Sequence, residues 1–159
     1  MIRQPLKIRP AIADDADRIG LLATQFAAYL RGLGDTGDFR FDAHCYLRDG
    51  FGPAPAFFGI VAEVEGLVIG YLLYHPGYDT DKAIRLLHIV DLYVDEGFRA
   101  MGAGRALMRQ AAAIGRQEGA SGLIWSVYSR NVMAAEFYLR LGVNDHAKFG
   151  SHAISLIED

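Results

Sequence analysis

The chain has 159 residues, 52% of them apolar, a formal net charge of −3 and a single cysteine, Cys45. That length predicts one domain with a substantial core, and the acidic balance argues against a nucleic-acid binder, which would carry a basic face. One cysteine excludes an internal disulfide and fits a reducing compartment; no apolar run reaches the roughly 20 residues of a membrane span, and the start lacks the apolar centre of a signal peptide, so a cytoplasmic protein without a membrane partner is expected.

Residues 6–9 read as a first strand. Asp14 or Asp15 then caps a helix in which Ile19, Leu22, Phe26 and Tyr29 recur at helical spacing, ended near Arg31 by Gly32 and Gly34. The loop that follows carries Asp35 and Asp38. It reads either as a solvated turn or as a rim that attracts an amine. A second short helix is predicted over 41–49. His44 and Cys45 are adjacent there, which is no metal-ligand spacing, and Cys45 reads as a buried apolar residue. Strands over 57–63 and 67–74 flank the hairpin signal Glu65-Gly66. A polar connection over 77–82 with Tyr78, Asp79 and Asp81 leads to a central strand over 86–94.

The best helix spans 102–118, with Leu107, Ala111 and Ile114 as its buried stripe and Gly119 as its stop. An apolar strand follows over 122–128. Asn131 is placed to cap a helix that runs to Leu141. The tail over 143–148 and 152–157 reads as a last strand or hairpin. Short-linked strands should pair antiparallel, and the two strands flanking the 102–118 helix should be parallel or splayed.

One stretch carries the chemistry. The apolar strand ending Val90-Asp91-Leu92-Tyr93-Val94 turns through Asp95-Glu96-Gly97 and enters Arg99-x-x-Gly102-x-Gly104 at a helix start. The first N–H groups of a helix lack internal partners, and its dipole is positive there. Glycines let a phosphate approach the backbone. A P-loop would need Lys and then Ser or Thr after the last glycine, whereas Arg105-Ala106 follow. A dinucleotide fingerprint would need a small residue at Leu107.

What remains resembles the acetyl-coenzyme A motif of the GNAT N-acetyltransferase superfamily. Val-Asp-Leu-Tyr-Val followed by Phe98-Arg99 is similar to the spermidine/spermine and thialysine acetyltransferase branch. The resemblance implies one GNAT-type domain over 1–159. Its fold would be α/β of the α+β type: a mixed, mostly antiparallel sheet of about six to seven strands, helices on both faces, and a splayed parallel pair at the cofactor cleft. It implies acetyl-CoA as co-substrate, no metal, and a homodimer with its final strand near the two-fold axis. Leu92, Tyr93 and Val94 would pair with the pantetheine. Arg99, Ala100, Met101, Gly102, Ala103, Gly104 and Arg105 would hold the pyrophosphate. Asn131 and Tyr138 match the family's Asn…Phe-Tyr segment.

Amide formation needs a held cofactor, a deprotonated amine, a polarised carbonyl and a proton for the departing thiolate. Tyr138 is the candidate general acid, since a phenol with a pKa of about 10 stays protonated at rest. A partly buried aromatic is its plainer reading. The polyamine branch carries Glu just before the Asp of the central strand, and here that position is Val90. His88, two residues earlier, should face the same side of the strand and is the candidate base, with a hydrogen-bonded core histidine as the alternative. Asp91 should face the other side and matches a family position; it reads as structural, or as a residue that supports the site from behind, rather than as the base. The expected activity is acetyl transfer to a primary amine of a small molecule, such as a polyamine, a diamine or an amino-acid-like amine. Acetylation of a protein or peptide, or a degenerate acyl-CoA-binding sensor, are the alternatives.

Overall fold

The computed structural model describes residues 5–141 and 152–156. Its elements in chain order are β1 (Leu6–Pro10), α1 (Ala16–Gly32), α2 (Ala43–Gly50), β2 (Phe58–Val64), β3 (Leu67–Asp79), β4 (Ile84–Val94), α3 (Ala103–Gln117), β5 (Gly122–Ser126), α4 (Val132–Arg140) and β6 (His152–Leu156). Among the described residues six strands form one sheet in sequence order. Every neighbouring pair is antiparallel except β4 and β5, which are parallel because α3 intervenes. This is the mixed α/β fold the sequence implied, with six strands.

Each face of the sheet carries its own core. Leu72, Leu87 and Ile89 pack with Leu107, Met108 and Ala111 of α3 and with Trp125 of β5. On the other face Val61, Tyr71, Leu73 and Tyr93 pack with Ile19 and Leu22 of α1 and Tyr46 of α2. The buried stripe of α3 thus includes Leu107 and Ala111 as predicted, together with Met108 and Gly115, while Ile114 is half-buried and packs against the same core. Cys45 is half-buried, and its neighbour Tyr46 fills the core instead, its hydroxyl donating to the Ile12 carbonyl at 2.8 Å. β3 is longer than its apolar run. His75 to Asp79 stay in the ladder because β4 supplies partners from Ile84 to His88. The stretch 143–148 lies outside the described residues.

Two irregularities matter for the site. β4 and β5 pair only over Leu86–His88 and Gly122–Ile124, so the two strands part company beyond those residues. In β4 a bulge interrupts the register with β3: Tyr74 pairs with Ile89 and Leu73 with Asp91, leaving Val90 without an opposite number.

Asp15 does not cap α1. Its carboxylate instead accepts the Ile12 N–H at 2.8 Å and two N–H groups of Arg9 at 2.8 and 2.9 Å, while Arg9 also donates to Glu63 at 2.6 Å. Burial pushes the Asp15 carboxyl up, but these donors outweigh it and leave the group below the ordinary carboxylate range. A depressed pKa contributes stability above the unfolded value, about 3.9, that is lost as pH falls through the folded one. Asp15→Ala should therefore lower stability at pH 7 by about 1–3 kcal/mol. The gap to wild type should close in urea titrations run at successively lower pH. A gap unchanged by acid would remove the ionic pair from this account.

Candidate active site

Where β4 leaves β5, a cavity of about 530 Å³ opens. Its wall is built from Leu92, Tyr93 and Val94 of β4, the turn from Arg99 to Arg105 without Met101, Asn131, Phe137 and Tyr138 around α4, and Phe26 and Tyr29 of α1. Eleven of the twelve residues expected at a cofactor site thus meet in one space, although they come from three elements and a turn. Met101 lies outside the lining and is 41% exposed.

The turn is shaped by its backbone. Asp95 accepts the Gly97 N–H at 3.0 Å, and Arg18 of α1 holds the same carboxylate at 3.0 Å. Ala100 and Gly102 both take positive φ, 67° and 82°, which swings the chain into α3. Gly102 caps the helix, so the N–H groups of Ala103, Gly104 and Arg105 have no intrahelical acceptor. The first turn of α3 holds no acid, and Arg105 sits in it. Arg99 stacks over Tyr29 and Tyr93, its guanidinium carbon 5.6 and 5.7 Å from the ring centroids. The positive end of the helix and two guanidinium groups therefore converge on one end of the cavity with no counter-charge in that helical turn.

Gly104 has a second reason to be glycine. A Cβ there would meet the Phe137 ring at 3.1 Å, so the residue lets α4 pack against the start of α3. The sequence reading assigned this glycine to phosphate approach alone. A bulky residue at 104 would press on Phe137, next to Tyr138, as well as on a ligand.

Asn131 is buried and caps α4 as expected, its Oδ1 accepting the Ala134 N–H at 3.2 Å. The same oxygen accepts the Tyr29 hydroxyl at 3.1 Å, tying α1 to the cavity wall. Tyr138 stacks on Trp125 with centroids 4.8 Å apart and meets Phe137 edge-on at 5.2 Å. Burial, and then the charge of Asp91, push its phenol well above the ordinary value, so it holds its proton. The tryptophan is 1% exposed and its indole N–H finds no acceptor among the described residues. Trp125 belongs to the core and does not line the cavity, but it supports the ring of Tyr138, a contact that the sequence reading did not reach. Phe26 and Tyr29 were read only as a helix stripe.

His88 and Asp91 depart from strict strand alternation. Leu87 and Ile89 face the α3 core, so His88 points to the α1 face. The bulge at Val90 adds one residue, which puts Asp91 on that same α1 face rather than the opposite one. There the Tyr71 hydroxyl donates to Asp91 at 3.4 Å. His88 lies three residues further down, about 10 Å at the strand rise. Its ring stands edge-on to His75 at 4.6 Å, and it is not part of the cavity wall. Tyr138 thus lines the large cavity and His88 does not. Asp35 and Asp38 border a second, smaller cavity, whereas Asp79 accepts the N–H groups of Asp81 and Lys82 and closes the β3–β4 turn. Among the described residues no group of three or more His, Cys, Asp or Glu could hold a metal, and no helix is long and apolar enough to cross a membrane.

Comparison with known proteins agrees with this layout. The chain is similar to a thialysine N-epsilon-acetyltransferase of Sus scrofa, 28% identical over 146 residues that cover 87% of this chain and 84% of that protein. It is also similar to the spermidine/spermine N(1)-acetyltransferase-like protein 1 of Homo sapiens, 27% identical over 146 residues, but spans only 20% of that longer protein. Among solved structures it superposes on the tetramutant of the BH1408 protein from Bacillus halodurans with a TM-score of 0.77 at 22% identity, covering 89% of this chain and 96% of that one. The aminoglycoside N-acetyltransferase AAC(6')-Iy in complex with CoA gives 0.74 at 15% identity, with 93% and 95% covered. These two likenesses concern the fold. The acetyltransferase (GNAT) family profile matches residues 24–143, three quarters of the sequence and every residue of the large cavity, and the chain belongs to that family.

Proposed function

We propose that this protein transfers the acetyl group of acetyl-CoA to a primary amine of a small molecule by direct attack of the amine on the thioester. The observation that carries this reading is the large cavity. It joins an acid-free α3 N-terminus, the end of β4 that has left β5 and a protonated phenol in one space. The pyrophosphate would lie on the N–H groups of Ala103, Gly104 and Arg105 with Arg99 beside it. The pantetheine would run along Leu92, Tyr93 and Val94, where β4 has no parallel partner. Tyr138 would give its proton to the departing thiolate. Acetyltransferases with thialysine, spermidine/spermine and L-ornithine in their names are among the similar proteins, which favours an amine carried by a small, cationic molecule. The reading includes a homodimer, for which β6 offers the outer strand of the sheet.

Incubation of the protein with acetyl-CoA and a panel of polyamines, diamines and basic amino acids, followed by free-thiol release, should reveal amine-dependent turnover. Release with none of them would reject the reading.

Trp125 is the only tryptophan in the chain and lies against Tyr138, so its fluorescence should change when CoA is added. Followed by that signal, Arg99→Ala should weaken CoA binding roughly 10- to 100-fold, the worth of about 1.5–3 kcal/mol for a charged hydrogen bond. Tyr138→Phe should retain CoA binding by dialysis and lose on the order of 10² to 10⁴ in kcat. Equal kcat in the Phe variant would remove the phenol from the chemistry.

A further inference from the structure

The turn from Asp95 to Gly102 has few apolar contacts to hold its shape. Glu96, Gly97, Ala100, Met101 and Gly102 are exposed. Ala100 takes a φ of 67°, where its Cβ is crowded and which persists only when neighbouring contacts impose it. Phe98 and Arg99 supply two such contacts, one against the α3 core and one over the rings of Tyr29 and Tyr93. The third comes from a residue 77 positions earlier. Arg18, near the start of α1, donates from Nε to the Val68 carbonyl at 2.7 Å and from Nη2 to Asp95 Oδ2 at 3.0 Å. The other oxygen of that carboxylate accepts the Gly97 N–H at 3.0 Å, and the Asp95 N–H donates to the Ile69 carbonyl at 2.7 Å. Val68 and Ile69 are buried residues of β3. The guanidinium thus reaches from a fixed strand to the first residue of the turn.

We propose, resting on the acetyltransferase reading, that Arg18 is a positioning residue for the cofactor: acting through Asp95, it presets the turn that receives the pyrophosphate and offsets a carboxylate that would otherwise stand unpaired at the start of that turn. It does not line the large cavity, so its effect passes through Asp95. Two consequences act in the same direction. Held by Arg18, Asp95 keeps the Gly97 N–H turned inward, and the turn that carries Arg99 and leads to the first N–H groups of α3 is formed before the ligand arrives. Binding then has less backbone to order. The Arg18 and Asp95 side chains are 25% and 20% exposed, so water screens this pair less than an ion pair on the open surface. Without Arg18, an uncompensated negative charge would oppose an incoming phosphate.

The effect is confined to the nucleotide half of the cofactor. The pantetheine would run along Leu92, Tyr93 and Val94, which are held by their ladder with β3. A thioester donor without phosphates should therefore be indifferent to Arg18.

The test compares acetyl-CoA with S-acetylpantetheine, which keeps the thioester and the arm but lacks the pyrophosphate and the nucleotide. Followed by Trp125 fluorescence, Arg18→Ala should weaken CoA binding on the order of 10-fold, the scale of one charged hydrogen bond. With the amine of the panel that turns over fastest, the KM for acetyl-CoA should rise by a similar factor while kcat stays near wild type. The kcat/KM for S-acetylpantetheine should not move, which also certifies the fold of the variant. Arg18→Lys, which keeps the charge, should recover part of the CoA affinity. In an Asp95→Asn background the amide oxygen still accepts the Gly97 N–H, and Arg18→Ala should there cost little more, because its partner charge is gone. Equal losses for the two acyl donors, or wild-type CoA affinity in Arg18→Ala, overturn the assignment and leave the acetyltransferase reading intact. A wild-type protein that binds no CoA overturns both.

Discussion

β4 and β5 share three residue pairs and then separate. Parallel strands joined through a helix have no turn to hold their far ends together, so their pairing can stop wherever side chains stop favouring it. Beyond Leu86–His88 the backbone groups of β4 on that side lose their strand partner. A buried backbone must be satisfied by something, and a ligand rich in amides answers that need. The gap also lets α3 begin at its mouth and α4 lie across it. Were β5 to pair along the whole of β4, the cavity beside Leu92, Tyr93 and Val94 would be filled by strand.

Charge then divides the space. At one end stand the N-terminus of α3, Arg99 and Arg105, which favour an anion. On the other side of β4, Asp35, Asp38 and Asp91 border the smaller cavity, tempered by Arg31. An acyl donor carrying phosphates and an acceptor carrying an ammonium would approach from different sides and meet at β4. Tyr138 stands near that meeting point, and the carboxylate of Asp91 helps keep its phenol protonated. Burial does most to keep that phenol protonated, and the charge of Asp91 adds to it.

The aromatic packing gives Tyr138 its place. Trp125 lies under its ring, Phe137 meets its edge, and Phe137 in turn lies against Gly104. The start of α3 and the ring of Tyr138 are thus coupled through one close contact. Arg99, Tyr29 and Asn131 form a second chain of contacts, from the turn through α1 to the cap of α4. Both chains of contacts join the turn before α3 to the wall of the cavity around α4.

The sequence by itself determined the strand–turn–helix order around Arg99-x-x-Gly102-x-Gly104, the helix cap at Asn131 and the grouping of Tyr138 with it. These are local: glycine at positive φ, a side-chain oxygen over the first amides and a seven-residue helical spacing need no distant partner. Element bounds were legible for the same reason, except in β3, whose polar end is held by β4. The face of Asp91 was not legible. Alternation along an isolated strand puts Asp91 opposite His88, and only the register with β3 reveals that Val90 is an extra residue that brings them to one face. Nor could the sequence reveal that Gly104 yields to Phe137, or that Trp125 supports Tyr138, because each depends on residues more than ten positions away. Local sterics fixed the motif, whereas pairing register and packing across the sheet decided which side chains share a cavity.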